Sequence, residues 1–270
     1  MISQYKELKD LRNRIVLISG GSSGLGKEMA YEVARKGAIV VICARQMDKL
    51  LEVKETCQRL SGRLAYAMEC DVSDPVQIEQ MVETVESSIG SIDVLINNAG
   101  FGLMENALTF DMNIAEKMIR VNLLGLIYMT QNVALNMANR KCGVIVNIAS
   151  VAGKIATPKS AIYSATKFGV LGYSNALRLE LKPLGIKVMT VNPGPIDTNF
   201  FKIADKKGEY LKNIGSMLMN PSHVAQIVVK NISTSRREIN LPYYMEIAHL
   251  GYTIFPKMGD LLAGTVFNKK

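Results

Sequence analysis

Short apolar runs rich in Val and Ile alternate with longer stretches in which apolar positions recur every third or fourth residue, almost to the end of the chain. A brief run that is apolar throughout predicts a strand buried on both faces, as in a parallel sheet; the three-to-four spacing predicts a helix with one buried face. The first pattern occurs at Arg14–Ser19, Ala38–Cys43, Arg63–Cys70, Ile92–Ile96, Gly143–Ala149, Ile186–Val191 and Glu238–Leu241. The second occurs at Leu25–Lys36, Met47–Leu60, Pro75–Ile89, Asn113–Met137, Ala161–Leu181 and Ser222–Ser233, with Asp74 placed to cap the helix that Pro75 opens. Alternation of this kind predicts a doubly wound α/β fold with about seven mostly parallel strands and helices on both faces. No Pro/Gly/Ser linker, repeat or low-complexity segment divides it, so residues 1–270 read as a single domain.

Two segments break the rhythm. Residues 198–220 (TNFFKIADKKGEYLKNIGSMLMN) mix apolar residues with lysines beyond a strand end, as a lid over a substrate site or an ordinary surface helix would. Residues 242–270 form a C-terminal tail in which Tyr252, Ile254, Phe255, Leu261, Leu262, Val266 and Phe267 exceed what a solvated tail needs. Packing on a neighbouring subunit is the favoured reading. Contact with an anionic membrane, helped by Lys269 and Lys270, is the sharper alternative.

Composition narrows the picture. Hydrophobic residues make up 48% and charged residues 21%, which suits a folded globular protein and not a disordered one. No apolar run has the length of a membrane span, and the polar start MISQYKELKDLRNR does not read as a secretory signal, so a cytoplasmic location is expected. The four cysteines stand far apart and only two histidines are present, which points to reduced, buried thiols and no metal site. The net charge is +8, and residues 200–270 hold 10 basic against 5 acidic groups. These are not gathered into a basic, aromatic-interleaved tract, so no nucleic-acid partner is expected.

The chemistry begins in the first strand–helix turn, Ser19-Gly20-Gly21-Ser22-Ser23-Gly24-Leu25-Gly26. Glycines there permit a tight turn and let a diphosphate approach backbone N–H groups at a helix N-terminus. At the end of the second strand, where NAD-binding folds favour an acid for the ribose 2′-hydroxyl, the chain has Ala44-Arg45-Gln46. An arginine pairs with a 2′-phosphate, so NADP(H) is expected over NAD(H); the alternative is a solvated loop residue. Tyr163 and Lys167 stand four apart on a predicted helix and so share a face, where an ammonium favours the phenolate. Ser150 lies thirteen residues before the tyrosine at the carboxyl end of a predicted strand, the edge where open α/β sheets bind ligands.

With Asp71-Val72, Asn97-Asn98-Ala99-Gly100, Asn122 and Pro193-Gly194-Pro195-Ile196-Asp197-Thr198 added in order, residues 12–200 resemble the classical short-chain dehydrogenase/reductase family. The resemblance implies a Rossmann-type fold, a nicotinamide cofactor, and homodimers or homotetramers built on the long helices. It implies that Gly20, Ser22, Ser23, Gly24, Leu25 and Gly26 cradle the cofactor diphosphate, and that Asp71 and Val72 meet the adenine. Asn98, Ala99 and Gly100 would lie along the cofactor, with Asn98 also joining two strands, and Pro193, Gly194, Ile196 and Thr198 would touch the nicotinamide amide. It further implies that Ser150 hydrogen-bonds the substrate oxygen and Tyr163 gives or takes its proton. Lys167 would bind the nicotinamide ribose, and Asn122 would hold a water in a proton relay. In one respect the chain departs: some NADP-dependent members carry a basic residue just before the middle glycine, where Ser23 stands here, so NADP preference falls on Arg45, with Ser22 and Gln46.

The implied reaction is hydride transfer between a nicotinamide and a carbonyl or alcohol carbon. Segments expected around the substrate, Phe101–Met104, Val151–Pro158 and Phe200, Phe201 and Ile203, are mostly apolar and suit a lipophilic carbonyl; Lys154 and Lys159 leave an acidic one open. A non-catalytic NADP(H)-binding regulator on the same fold is the alternative, and its sign would be a lost member of the catalytic set.

Overall fold

The computed structural model describes residues 8, 10–204 and 217–265, with the side chains of Lys202 and Ile203 excepted. Seven strands form one all-parallel sheet: β1 (Ile15–Ser19), β2 (Ile39–Ala44), β3 (Ala65–Glu69), β4 (Ile92–Asn97), β5 (Gly143–Ile148), β6 (Ile186–Pro193) and β7 (Glu238–Leu241), in the order β3-β2-β1-β4-β5-β6-β7. The central strands are apolar on consecutive positions because successive side chains enter different cores. Val16 and Ile18 of β1 pack with Met29, Val33 and Leu50 on one face. Ile15 and Leu17 pack with Ile78, Val85 and Met129 on the other.

Helices α1 (Gly24–Arg35), α2 (Met47–Ser61) and α8 (Pro221–Asn231) cover the first face, while α3 (Pro75–Ser88), α5 (Gly125–Arg140) and α6 (Ala161–Leu181) cover the second. Asp74 caps α3 as its sequence predicts, accepting hydrogen bonds from the N–H groups of Val76 (2.9 Å) and Gln77 (3.3 Å), an arrangement worth about 1 kcal/mol. Lys187, buried on β6, reaches the end of α8 and donates to the carbonyls of Asn231 and Ile232, both at 3.0 Å. Burial pushes this amine down to about 8, while a helix C-terminus is where a cation is best placed.

The predicted helix over 113–137 is not one regular helix. It runs as α4 (Met112–Ile119), a π turn at Arg120–Leu124, and then α5. The segment after β6 starts as the short helix α7 (Phe200–Ala204). Its return is fixed beside its start, where the Met219 N–H donates to the Pro195 carbonyl (2.9 Å) and the Asp197 N–H to the Met219 carbonyl (3.0 Å). The middle of the expected lid lies outside the described residues.

The C-terminal segment is not a loose tail. It folds into α9 (Tyr244–Ile254) and α10 (Pro256–Gly264), because Pro256 opens a helix where its missing N–H is harmless and Gly259 packs flat against the Tyr252 ring. Ile254 and Leu261 are each 66% exposed on these helices, while Val266, Phe267, Lys269 and Lys270 lie outside the described residues. A charge on this outer face separates the two readings of the segment without removing its helices. If a second subunit packs here, Ile254→Glu with Leu261→Glu should shift size-exclusion elution to a smaller species. Flotation of the unaltered protein with anionic liposomes, lost in the variant, would overturn that reading in favour of a lipid surface.

Candidate active site

The carboxyl ends of the central strands open onto a cavity of about 900 Å³, located where the sheet order runs from β1 toward β2 on one side and β4 on the other. Such a switch point leaves a crevice between two oppositely directed sets of loops.

The glycine turn forms one end of this cavity. Gly20 adopts φ +68, and its N–H and that of Gly21 both donate to the Cys43 carbonyl (2.8 and 3.2 Å), which folds the turn tightly against β2. Gly26 lies behind the turn and not on the cavity surface: a Cβ there would overlap the Gly20 carbonyl and come within 2.5 Å of Asn98 Nδ2. Ser23 occupies the N-cap of α1 without a side-chain hydrogen bond, and no acidic residue stands in the first turn. The positive end of α1 therefore faces the cavity with no anionic competitor, which suits a diphosphate. Asn98 secures the approach by donating Nδ2 to the carbonyls of Ser19 (3.1 Å) and Gly20 (3.2 Å), so it does join β4 to the turn after β1. Ser19, which the sequence did not single out, accepts from the N–H groups of Asn98 and Ala99, both at 3.1 Å.

At the β2–β3 end, Arg45, in the loop after β2, lines the cavity with Lys49 from the first turn of α2. Asp71 lines it too, and its carboxylate accepts from the Ser73 N–H (2.9 Å) and hydroxyl (2.8 Å). Burial pushes the Asp71 carboxyl up, but the two Ser73 hydrogen bonds, with Arg45 and Lys117 nearby, outweigh it and hold it below the usual range. Arg45 stands in the loop before α2 and Lys49 in its first turn, so their spacing in the sequence did not mark a shared face. Nothing local marked Lys117, which comes from α4.

The opposite end holds Ser150, Tyr163 and Lys167 on one cavity. Ser150 follows β5 and caps a short 3-10 turn (Val151–Gly153), with its Oγ accepting from the Ala152 N–H at 3.1 Å. Tyr163 and Lys167 are almost fully buried on one face of α6, and Lys167 Nζ stands 5.8 Å from the centroid of the tyrosine ring. Nζ donates to the Ile148 carbonyl at 2.9 Å, and burial pushes its pKa down to about 8. Because the unfolded lysine keeps its proton to higher pH, this cost to folding falls away as pH rises from about 8 towards the ordinary 10.5.

Asn122 is carried on the π turn and lies behind the cavity surface. Its Oδ1 accepts from the Phe101 N–H (2.9 Å), and Nδ2 donates to the Phe101 carbonyl (2.8 Å) and Thr166 Oγ1 (3.2 Å). Thus of the residues expected at the site, Gly26 and Asn122 support its walls, and the others line them: Gly20, Ser22, Ser23, Gly24, Leu25, Arg45, Asp71, Val72, Asn98, Ala99, Gly100, Ser150, Tyr163, Lys167, Pro193, Gly194, Ile196 and Thr198.

The expected substrate segments contribute Phe101, Leu103, Met104, Val151, Ile155, Thr157, Phe200 and Phe201. Lys154 is not turned to the cavity; it is paired with Glu238 and Glu246. Missing from the sequence reading are Tyr244, Met245 and Ala248 of α9, which close the apolar end. Among the described lining residues, Arg45, Lys49, Asp71, Lys117 and Lys167 carry charge, and none of them comes from the substrate segments or from α9.

A family model described as short chain dehydrogenase matches residues 14–208. An uncharacterised oxidoreductase of Staphylococcus saprophyticus is 33% identical over 189 residues, 70% of this chain and 81% of that protein. A 3-dehydrosphinganine reductase of Danio rerio is 34% identical over 233 residues, covering 84% and 70%. Among solved structures, levodione reductase superposes with a TM-score of 0.78 at 26% identity, covering 86% of this chain and 96% of that one. An alcohol dehydrogenase from Thermococcus sibiricus complexed with 5-hydroxy-NADP shares the fold, with a TM-score of 0.77 at 23% identity and coverage of 85% and 96%.

Proposed function

Because the chain belongs to the short-chain dehydrogenase/reductase family of oxidoreductases, which use a nicotinamide cofactor, we propose that it is an NADP(H)-dependent enzyme reducing lipophilic carbonyls, or oxidising the corresponding alcohols. The observation that carries this reading is a single cavity lined by Ser150, Tyr163 and Lys167 at one end and by the glycine turn with Arg45 at the other.

The cofactor, when bound, supplies or accepts the hydride. Everything else falls to the chain. Ser150 Oγ hydrogen-bonds the substrate oxygen, and Tyr163 Oη delivers its proton in reduction or takes it in oxidation. The Lys167 ammonium makes the phenolate cheaper to form and offers donors to a ribose. Asn122 holds the loop after β4 against the π turn, and the expected proton relay would run past its amide. The uncapped α1 N-terminus takes the diphosphate, and Arg45 with Lys49 takes a 2′-phosphate.

NADP(H) is favoured because the end of β2 presents Arg45 and no carboxylate, while Asp71 is occupied by Ser73. A neutral, lipophilic substrate is favoured because, beyond Ser150, Tyr163 and Lys167, the described lining around their end of the cavity is mostly apolar, with Leu103, Met104, Ile155, Phe200, Phe201 and Met245. The similarity to a reductase named for a long-chain amino ketone agrees with the lipophilic part.

An NADPH-oxidation screen across long-chain ketones, aldehydes, quinones and 3-oxoacyl thioesters, with NADH in parallel, tests the proposal. Turnover of neutral apolar carbonyls with NADPH preferred is the expected result. NADPH binding without turnover of any of them would instead favour the non-catalytic regulator.

A further inference from the structure

Helix α9 closes the apolar end of the cavity with Tyr244, Met245 and Ala248, yet none of its residues is fully buried. Ile247, Leu250 and Ile254 are 61%, 53% and 66% exposed, and Met245, Ala248, His249 and Tyr252 on its inner face are only half-buried. Among the described residues, apolar packing alone therefore holds its angle weakly.

One polar contact ties α9 to the catalytic segment. Lys154 follows the short turn that Ser150 caps, and its side chain is only 10% exposed. Nζ donates to Glu246 Oε2 of α9 at 2.6 Å and also pairs with Glu238 of β7. Glu238 is itself fixed, accepting from Asn192 Nδ2 of β6 at 2.7 Å. The segment leading to Lys154 has no play either, since a Cβ on Gly153 would lie 2.7 Å from the Lys167 carbonyl on α6. The ammonium is thus a rigid post, and Glu246 is the point at which a helix without a core anchor is attached to it. A charge-assisted bond of low exposure resists displacement more strongly than a surface pair does.

We infer that Lys154 is a positioning residue: through Glu246 it holds α9 against the cavity and so sets which carbonyl substrates the apolar end admits. This rests on the oxidoreductase reading for its effect on substrates, while its effect on α9 stands apart from that reading. It also gives Lys154 a role other than anchoring an acidic substrate, since both carboxylates it meets belong to the chain.

Glu246→Gln tests this, because it keeps shape and leaves Lys154 paired with Glu238. Hydrogen–deuterium exchange of the full-length protein should quicken within residues 244–254 and stay unchanged in the central sheet. The KM for a bulky long-chain ketone should rise about tenfold, the effect of losing one charge-assisted bond. The KM for a small ketone, the affinity for NADPH and kcat should stay within about twofold, which is little energy on the same scale. Lys154→Met should reproduce the pattern, and Lys154→Arg, which keeps the charge, should leave exchange and KM close to those of the unaltered protein. Unchanged exchange in α9 overturns the inference, as does an equal loss with small and bulky ketones or a KM change confined to carboxylate-bearing substrates. If the unaltered protein reduces no carbonyl, the functional reading fails, and the exchange measurement still decides whether Lys154 holds α9.

Discussion

Tyr163→Phe is expected to slow carbonyl reduction by about 10²- to 10⁴-fold, the range typical of a lost general acid. NADPH binding should stay close to that of the unaltered protein, because the substitution removes Oη alone. The ring keeps its buried place, 7% exposed, and its tilted contact with Phe200 at a centroid distance of 5.7 Å. The local turn of α6 does not depend on the phenol either, since Thr166 Oγ1 donates to the Tyr163 carbonyl at 2.8 Å. A folding defect therefore would not mimic the result. Single-turnover NADPH oxidation, measured beside a fluorescence titration of NADPH, separates the two quantities. An unimpaired variant would remove Tyr163 from the chemistry and leave the family fold with a different proton donor or none.

Arg45→Asp should reverse cofactor preference, weakening NADPH by about 10²- to 10³-fold relative to NADH. Roughly 1.5–3 kcal/mol of that comes from the lost charge-assisted hydrogen bonding, and the rest from a carboxylate facing a phosphate. Asp71 would keep its place through Ser73 but lose a neighbouring cation, so its carboxyl should move up from its depressed position. Arg45→Met removes the attraction without the repulsion, and its smaller effect apportions the two. Dissociation constants for both cofactors, from titration, provide the measurement. Equal weakening of NADPH and NADH would mean that Arg45 does not meet the 2′ position, and Lys49 or Lys117 would become the residue to examine.

What could be read in the sequence was whatever chemistry is local. The strands were legible because a parallel sheet covered on both faces demands apolar residues on consecutive positions, as Ile15 to Ile18 show by dividing between two cores. Tyr163 and Lys167 were legible because i, i+4 spacing fixes a shared face whatever surrounds it, and the glycine turn because its conformation is set within a few residues. Contacts made over long separations left no trace. Lys154 meets Glu246 across 92 positions, whereas the sequence left it open, with Lys159, as a contact for an acidic substrate. The helices of the C-terminal segment were not legible, because its clustered apolar residues do not show that Pro256 opens a helix or that Gly259 receives a tyrosine ring. Asn122 was identified by resemblance, yet its place behind the cavity follows from backbone geometry that no side-chain pattern reveals.

The π turn beneath Asn122 amounts to one residue spliced into an otherwise continuous helix. Each residue advances an α-helix by about 100°, so the splice puts the faces before and after it out of phase. Before it, Ala115 and Met118 face the small core around Leu103 and Tyr163; after it, Met129, Val133 and Met137 face the main sheet. The two cores therefore count residues in different frames, joined at Arg120–Leu124. Composition within these helices is negotiable so long as the length is kept. A single deletion there would restore a regular helix and rotate one face away from its core, however conservative the residue removed.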